Sequence, residues 1–498
     1  MPTGGGIFTI QNKILPGAYI NFVALGSVPK VGARGIAALP LELDWGPENH
    51  AFALEAAEFN QVAMKVLGYD PMAAELLLIR EALKRAKTLL VYRVNSGGQK
   101  ASVSVGGMTV TATWGGTRGN DLSVAILANA DDTANVDVVT YLDGAVVDTQ
   151  TVAKSAGAAD LKANDYISFG AAATLAAAVE TALTGGTNGT VNGAAHVAAL
   201  GAFEVETFQA IGYPGTDETV KALYAAYVKR LRDDEGKKIS GVLHQCSGNH
   251  MGLINVKNGV VLADGTTVTG DKAVAWVTGA TAGAEINESL TNTAYDGAVD
   301  VDIKYTRSQL EAAVQAGEFV FYGDYGAARV LMDINSLTAF GAGVSEDWAS
   351  NRVVRVMDGW ANDVARIFGA SYIGLMTNSD TGRQLFKADL VSLGMQYQAL
   401  DAISNFRFKW HAARRRSRLP RVAVPQRRIV QPVDIILILR RCFALDIAVI
   451  VKLVNLVDFI YPVAFVKVGT VKVAIYRRMP FQRIGRHRKQ VPDKVSAL

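Results

Sequence analysis

Apolar residues change their spacing several times along the chain, and each change predicts a different kind of element. Near the start, Ile7, Thr9 and Ile10 precede Pro16-Gly17, and Ala18-Tyr19-Ile20-Asn21-Phe22-Val23 alternates at period two. That alternation predicts a strand with no hairpin partner nearby. A lone strand leaves backbone donors and acceptors open, so Ala18, Tyr19, Ile20, Asn21 and Phe22 are candidates for pairing with another chain. Pairing within its own domain is the plainer alternative. From 24 to 94, helix and strand alternate. Asp70-Pro71 offers an N-cap and a first-turn proline to a helix through Leu76, Leu77, Ile79, Leu83 and Ala86. The nearly all-apolar run 89–94 then predicts a buried parallel strand.

Between 95 and 200 the pattern changes character. Ala101-Ser102-Val103-Ser104-Val105 and Thr109-Val110-Thr111-Ala112-Thr113 alternate around Gly106-Gly107, and apolar runs flank Asp143-Gly144. Such dipeptides close two-residue hairpins, and a series of short hairpins predicts a β-sandwich. This sandwich interrupts the α/β pattern and is left through Gly185-Gly186-Thr187-Asn188-Gly189. Helices return afterwards. Thr216 is the expected cap of one that carries Asp217 and Glu218 in its first turn, runs through Leu223, Tyr227 and Leu231, and stops at Gly236. Thr306-Arg307-Ser308-Gln309 forms a capping box for a helix over 310–316, closed by Gly317. A further helix within 346–368 presents Val354, Met357, Ala361, Val364, Ile367 and Phe368 on its apolar side.

These changes divide the chain into an extended arm (1–23), two parts of an α/β core (24–94 and 201–340), an inserted β-sandwich (95–200), a C-terminal domain (341–406) and a last segment (407–498). The fold class is multidomain α/β (α+β). With 498 residues, half of them apolar, there is material for several cores. No run of 18 uncharged apolar residues occurs, so no membrane-spanning helix is expected. Met1-Pro2-Thr3-Gly4-Gly5-Gly6 lacks a basic region followed by an apolar one, so no signal peptide is expected either. Cys246 and Cys442 lie far apart, which suits a reducing compartment and gives no disulfide framework.

Candidate chemistry is sparse. No Gly-Lys-Ser/Thr closes a glycine loop, and no Gly-x-Gly-x-x-Gly joins a strand to a helix, so neither nucleotide motif is present. Gly115-Gly116-Thr117-Arg118-Gly119-Asn120-Asp121 could cradle an anion, but reads more simply as a turn into a strand. His244, Cys246 and His250 could form a thiolate–imidazole or zinc set, yet their spacing matches no usual finger. Asp296, Asp300 and Asp302 alternate without the glycine and distal glutamate of a calcium loop. Arg232, Asp233, Asp234, Glu235, Lys237 and Lys238 read as solvated charge at a helix end, or as an intersubunit salt-bridge patch. No catalytic residue, cofactor site or metal site is assigned.

One stretch, 276–362, is rich in glycine, asparagine and other small residues where a core is normally large and apolar. It includes Ala275-Trp276-Val277-Thr278-Gly279-Ala280-Thr281-Ala282-Gly283-Ala284, Asp333-Ile334-Asn335-Ser336-Leu337-Thr338 and Asn351-Arg352-Val353-Val354-Arg355-Val356-Met357-Asp358. Together with Pro16-Gly17-Ala18-Tyr19-Ile20, Arg34-Gly35-Ile36-Ala37, Arg232-Asp233-Asp234-Glu235-Gly236-Lys237-Lys238, Gly382-Arg383-Gln384-Leu385-Phe386-Lys387 and Ala402-Ile403-Ser404-Asn405-Phe406, it resembles the contractile tail sheath protein of myophages and phage-like particles. The likeness spans roughly residues 13–406. It implies a subtilisin-like core without protease activity, and a structural subunit that stacks as hexameric rings around a tail tube. Terminal arms would add strands to neighbouring subunits. Tube and baseplate proteins would be the partners, with no small-molecule substrate and no nucleic acid. Assembly would take place in the host cytoplasm, and the product would be a virion tail that contracts for genome ejection. Two other function classes compete: a virion surface adhesin that uses the β-sandwich, and a hydrolase on the subtilisin-like core.

Charge sets the last segment apart. Residues 1–406 hold 29 Lys+Arg against 42 Asp+Glu, whereas 407–498 hold 21 Lys+Arg, four aspartates and no glutamate. The overall +4 therefore hides −13 in the body and +17 in the last segment. Arg414-Arg415-Arg416-Ser417-Arg418 and Ile435-Ile436-Leu437-Ile438-Leu439-Arg440-Arg441 do not follow the resemblance. A reading-frame shift near codon 406 is the leading expectation, and it would remove the C-terminal strand donor. A fused domain, or a tail that contacts phosphates or an anionic membrane, are the rivals.

Overall fold

The computed structural model describes residues 30–411, apart from Ala173 and Ala342, and the strands Val433–Arg440 and Asp446–Leu453. The expected arm residues Ala18, Tyr19, Ile20, Asn21 and Phe22 lie outside the described residues, as does most of 407–498.

Seven strands form the central sheet, in the order Glu318–Phe319, Leu253–Val256, Ser240–His244, Ala210–Tyr213, Ile36–Leu41, Thr88–Arg93, Ala51–Glu55. All neighbours are parallel except the edge strand Ala51–Glu55, which runs antiparallel to Thr88–Arg93. A parallel sheet needs apolar side chains on both faces, because its crossover helices cover both. Accordingly Leu39 and Val91 pack with the helix Leu77–Leu83, while Ala38, Tyr92 and Ile211 pack with the helices Gly193–Glu204 and Glu218–Lys229.

The small-residue stretch forms the helix Gly270–Gly283, which is buried on every side from Ala273 to Ala282. A helix wedged between a sheet and another helix has little room for side chains. A Cβ on Gly279 would lie 2.1 Å from the Ala82 carbonyl oxygen, and one on Gly283 would lie 2.0 Å from that of Arg85. Both glycines thus let this helix sit directly on the backbone of the segment around Leu77–Leu83. Trp276 supplies the bulk that these positions lack, stacking on Tyr295 at 4.4 Å between centroids.

The inserted β-sandwich pairs the sheet Ala178–Ala182, Leu122–Ala128, Asn135–Leu142, Ala145–Ala153 with the sheet Lys100–Val105, Met108–Gly115, Ile167–Phe169. Its core is built from alternate residues such as Val110, Val124, Ile126, Val136 and Val138, and it also takes in Trp45 from the α/β part. Asp143 and Gly144 have φ of 52° and 73°, the mirror-type turn their sequence predicts.

Some local expectations shift. Asp70 accepts a hydrogen bond from the Met72 amide, but this only closes a turn; a 3-10 turn follows at Ala74–Leu76 and the α-helix starts at Leu77. The helix expected to start at Thr216 is capped by Asp217, which accepts from the amides of Thr219 and Val220. It continues into a π-turn over Arg230–Glu235 and ends at Gly236. The capping box Thr306/Gln309 forms as expected.

At the C-terminal side, the helices Asn351–Ser371 and Asp380–Ala399 share an apolar cluster of Val356, Trp360, Val364, Phe386, Leu390, Leu393 and Tyr397. The strand Ser404–His411 follows and pairs antiparallel with Val433–Arg440, which pairs in turn with Asp446–Leu453.

Candidate functional site at the core–helix seam

Charged and amide side chains line the joint between the central sheet and the helix Asn351–Ser371. The π-turn accommodates one extra residue, and two consecutive positions, Leu231 and Arg232, point inward as a result. Arg232 is 2% exposed. Its guanidinium grips Asp358 through two parallel bonds of 2.6 and 2.9 Å, and Nη1 also donates to the Ile239 carbonyl at 2.5 Å. One helical turn earlier, Arg355 donates to the Glu288 carbonyl at 2.5 Å and faces Asp333 at 3.5 Å. Asp333 accepts from the Asn351 amide at 2.9 Å and from the Leu290 N–H at 3.1 Å. Asp363 accepts from the Gly32 N–H at 2.9 Å, from Arg366 at 2.9 Å and from the Tyr397 hydroxyl at 2.8 Å. Burial first, and then Asp363, pushes the Tyr397 phenol far above its usual range.

Both described ends of the body therefore meet on one helix. The segment at Lys30 and Gly32 is held by Arg366 and Asp363, and the Phe406 ring packs 5.8 Å from that of Trp360. Apolar contact alone would permit sliding, whereas paired charges fix direction and register. The chemistry this supports is mechanical connection.

The charge cluster 232–238 is thus not uniformly solvated: Asp233, Asp234 and Glu235 are exposed, but Arg232 is internal. Reading at a period of 3.6 residues could not reveal this, because the π-turn breaks that period. The positions Arg355 and Asp358, three apart on the same side as Val354, were the available signal for the other half of the seam.

The remaining candidates are dispersed. The His244 ring N–H donates to the Val256 carbonyl at 3.0 Å, and burial pushes the half-buried Cys246 thiol up, away from thiolate character. At His250, Nδ1 accepts from the Gly252 N–H at 3.0 Å and Nε2 donates to Asp233 at 3.1 Å. Ser336 lies against the backbone of His250 rather than its ring, so these three residues form no nucleophile–base chain. Among the described residues, no group of three His, Cys, Asp or Glu side chains could hold a metal ion. Asp296 binds Arg85 at 2.5 Å and the Trp276 indole at 3.0 Å, Asp300 pairs with Lys304 at 2.7 Å, and the strand covers only Ala298–Val301, so Asp296 and Asp302 lie outside it. In the Gly115–Asp121 turn, Arg118 is turned inward to Asp143, Asp121 and the Gly68 carbonyl, which makes the turn a pin between sandwich and core.

His250 carries a pH dependence. Burial holds its pKa below the ordinary histidine value, and Asp233 only partly opposes this. A folded pKa below the unfolded one leaves stability intact above about pH 6.5, and stability declines as pH falls below it. We expect the urea midpoint to fall between pH 7 and pH 5. The fall should be smaller in His250→Asn, whose amide oxygen can still accept from Gly252 but cannot titrate.

Four family models match the chain in order. They are the domain III N-terminal region of tail sheath protein Gp18 over residues 34–94, the phage tail sheath β-sandwich domain over 96–188, the phage tail sheath central domain over 189–336, and the phage tail sheath C-terminal domain over 344–421. The chain belongs to the phage tail sheath family. The phage-like element PBSX protein XkdK of Bacillus subtilis is 38% identical over 385 residues, covering 73% of this chain and 81% of that protein. The solved sheath tail protein of Desulfitobacterium hafniense is 43% identical, with a TM-score of 0.77, over 88% of this chain and all of that one. A sheath tail protein of Listeria innocua is 31% identical, with a TM-score of 0.72, over 85% of this chain and 96% of that one. This tail sheath subunit is therefore a component of a virion or phage-like particle. Its likeness to the sheath C-terminal domain runs past Phe406, where the sequence reading ended it.

Proposed function

We propose that this sheath subunit polymerises as stacked hexameric rings around a tail tube, docks on a baseplate, and contracts to drive the tube through a host envelope. Assembly would take place in the host cytoplasm. Residues 1–23 act as an arm, in which Ala18, Tyr19, Ile20, Asn21 and Phe22 complete a sheet in a neighbouring subunit. The body divides into a subtilisin-like α/β core (24–94 and 201–340), a sandwich (expected over 95–200, though its last strand ends at Ala182 and the helix Gly193–Glu204 packs on the core sheet) and a C-terminal domain (341–406). What supports this reading is the meeting of the segments at Gly32 and Phe406 on the helix Asn351–Ser371, joined through Arg232–Asp358 to the sheet. The mostly parallel sheet between helical layers supports the core assignment. A lattice linked by strand exchange does work through differences in packing between two arrangements, so this function needs no nucleotide.

Electron microscopy of the purified chain tests the proposal. Rings or hollow tubes are the expected result, lost when residues 1–23 are deleted while the melting temperature changes little. A full chain that stays monomeric at high concentration, with its arm folded onto its own body, overturns it. The sheath C-terminal match runs to residue 421, so we move the proposed reading-frame shift from near codon 406 to a point beyond codon 421. Rings or short stacks rather than long sheaths are then the expected product, because the C-terminal strand donor is absent.

A further inference from the structure

A small polar cavity of about 20 Å³ lies inside the seam, among Arg34, Thr281, Arg355, Lys238 and Asp358. That volume holds roughly one species of the size of a water molecule. Its walls carry unanswered donors. The Thr281 hydroxyl and Arg355 Nε are buried without a hydrogen-bond partner, in residues that are each 4% exposed. Arg34 spends its bonds on two carbonyls, with Nε to Ala284 at 2.9 Å and Nη2 to Thr281 at 3.1 Å, and makes no carboxylate contact among the described residues.

The charge count points the same way. Arg34, Lys238 and Arg355 line the cavity together with Asp358, whose two oxygens Arg232 holds from outside it, while Asp333 faces Arg355 and Glu285 acts on Arg34 from farther away. With Asp358 held by Arg232 and Asp333 facing Arg355, Arg34 has no carboxylate in hydrogen-bond contact among the described residues. Burial, and then repulsion from Arg355, lowers the Arg34 pKa to about 10. Unpaired buried charge is costly unless a counter-charge is present.

We propose that this cavity binds one small inorganic anion of halide size, held by Arg34, Arg355 and the Thr281 hydroxyl. The anion neutralises the seam and locks the C-terminal helices to the core.

The full chain is melted in sodium chloride and in sodium gluconate at equal ionic strength. Chloride should raise the melting temperature by about 3 °C over gluconate. Arg34→Gln and Thr281→Val should each lose that increment; Thr281→Val replaces the hydroxyl by a methyl at near-constant volume and carries the test even if Arg34→Gln does not fold. Crystals grown in bromide should show an anomalous peak within hydrogen-bond distance of Thr281 Oγ1. Equal melting in the two salts, an increment that survives in Thr281→Val, or a water without anomalous signal at the site would each overturn the proposal.

Discussion

Arg232→Ala is expected to destabilise the chain by about 3 kcal/mol, because it removes both guanidinium bonds to Asp358 and leaves that carboxylate only the longer-range attraction of Arg34 and Lys238. Asp358→Ala strands the guanidinium instead, and the expected cost is similar. The paired change Arg232→Met with Asp358→Leu removes both charges and should cost much less than either single change, since well-packed apolar groups often replace a buried ion pair without loss. Urea unfolding gives the magnitude and hydrogen exchange the location: amides of Asn351–Ser371 should lose protection before those of the central sheet. Equal loss in the single and paired variants would show that the pair contributes packing rather than charge.

Gly279→Val should be about as damaging, at about 3 kcal/mol, for a different reason. Its side chain would have to enter the space held by the Ala82 carbonyl, 2.1 Å from where Cβ must sit. Backbone cannot rotate aside as a side chain can, so the helix Gly270–Gly283 would have to lift off Leu77–Leu83 and expose apolar surface on both. Gly201→Val provides the control: it lies in the helix Gly193–Glu204, nothing lies within 4 Å of its Cβ position, and only a small effect is expected. Circular dichroism melting of the two variants gives the comparison.

Much of the local structure was legible because local rules produce it. Thr306 and Gln309 cap each other through atoms three residues apart, and Asp143-Gly144 turns because glycine tolerates its own φ. Where the rule depended on a neighbour, reading failed. Asp70 looked like a helix start, yet the 3-10 turn at Ala74–Leu76 delays the helix. Gly279 and Gly283 stood out as small, but their purpose needs Ala82 and Arg85, nearly 200 positions earlier in the chain. Arg232 was placed with its exposed neighbours because a π-turn is invisible to a helical period. The family resemblance, carried by short motifs in order, was legible across the body; the seam those motifs build was not.

The seam also sets how force would travel. A pull at Gly32 reaches Asp363, and a pull at Phe406 reaches Trp360, three positions away on the same rod of 21 residues. From there Asp358 hands the load to Arg232 and the sheet beyond it. Two tethers fastened to one spar cannot be tensioned separately, so under the proposed strand exchange a tug on either would turn the whole body as a unit.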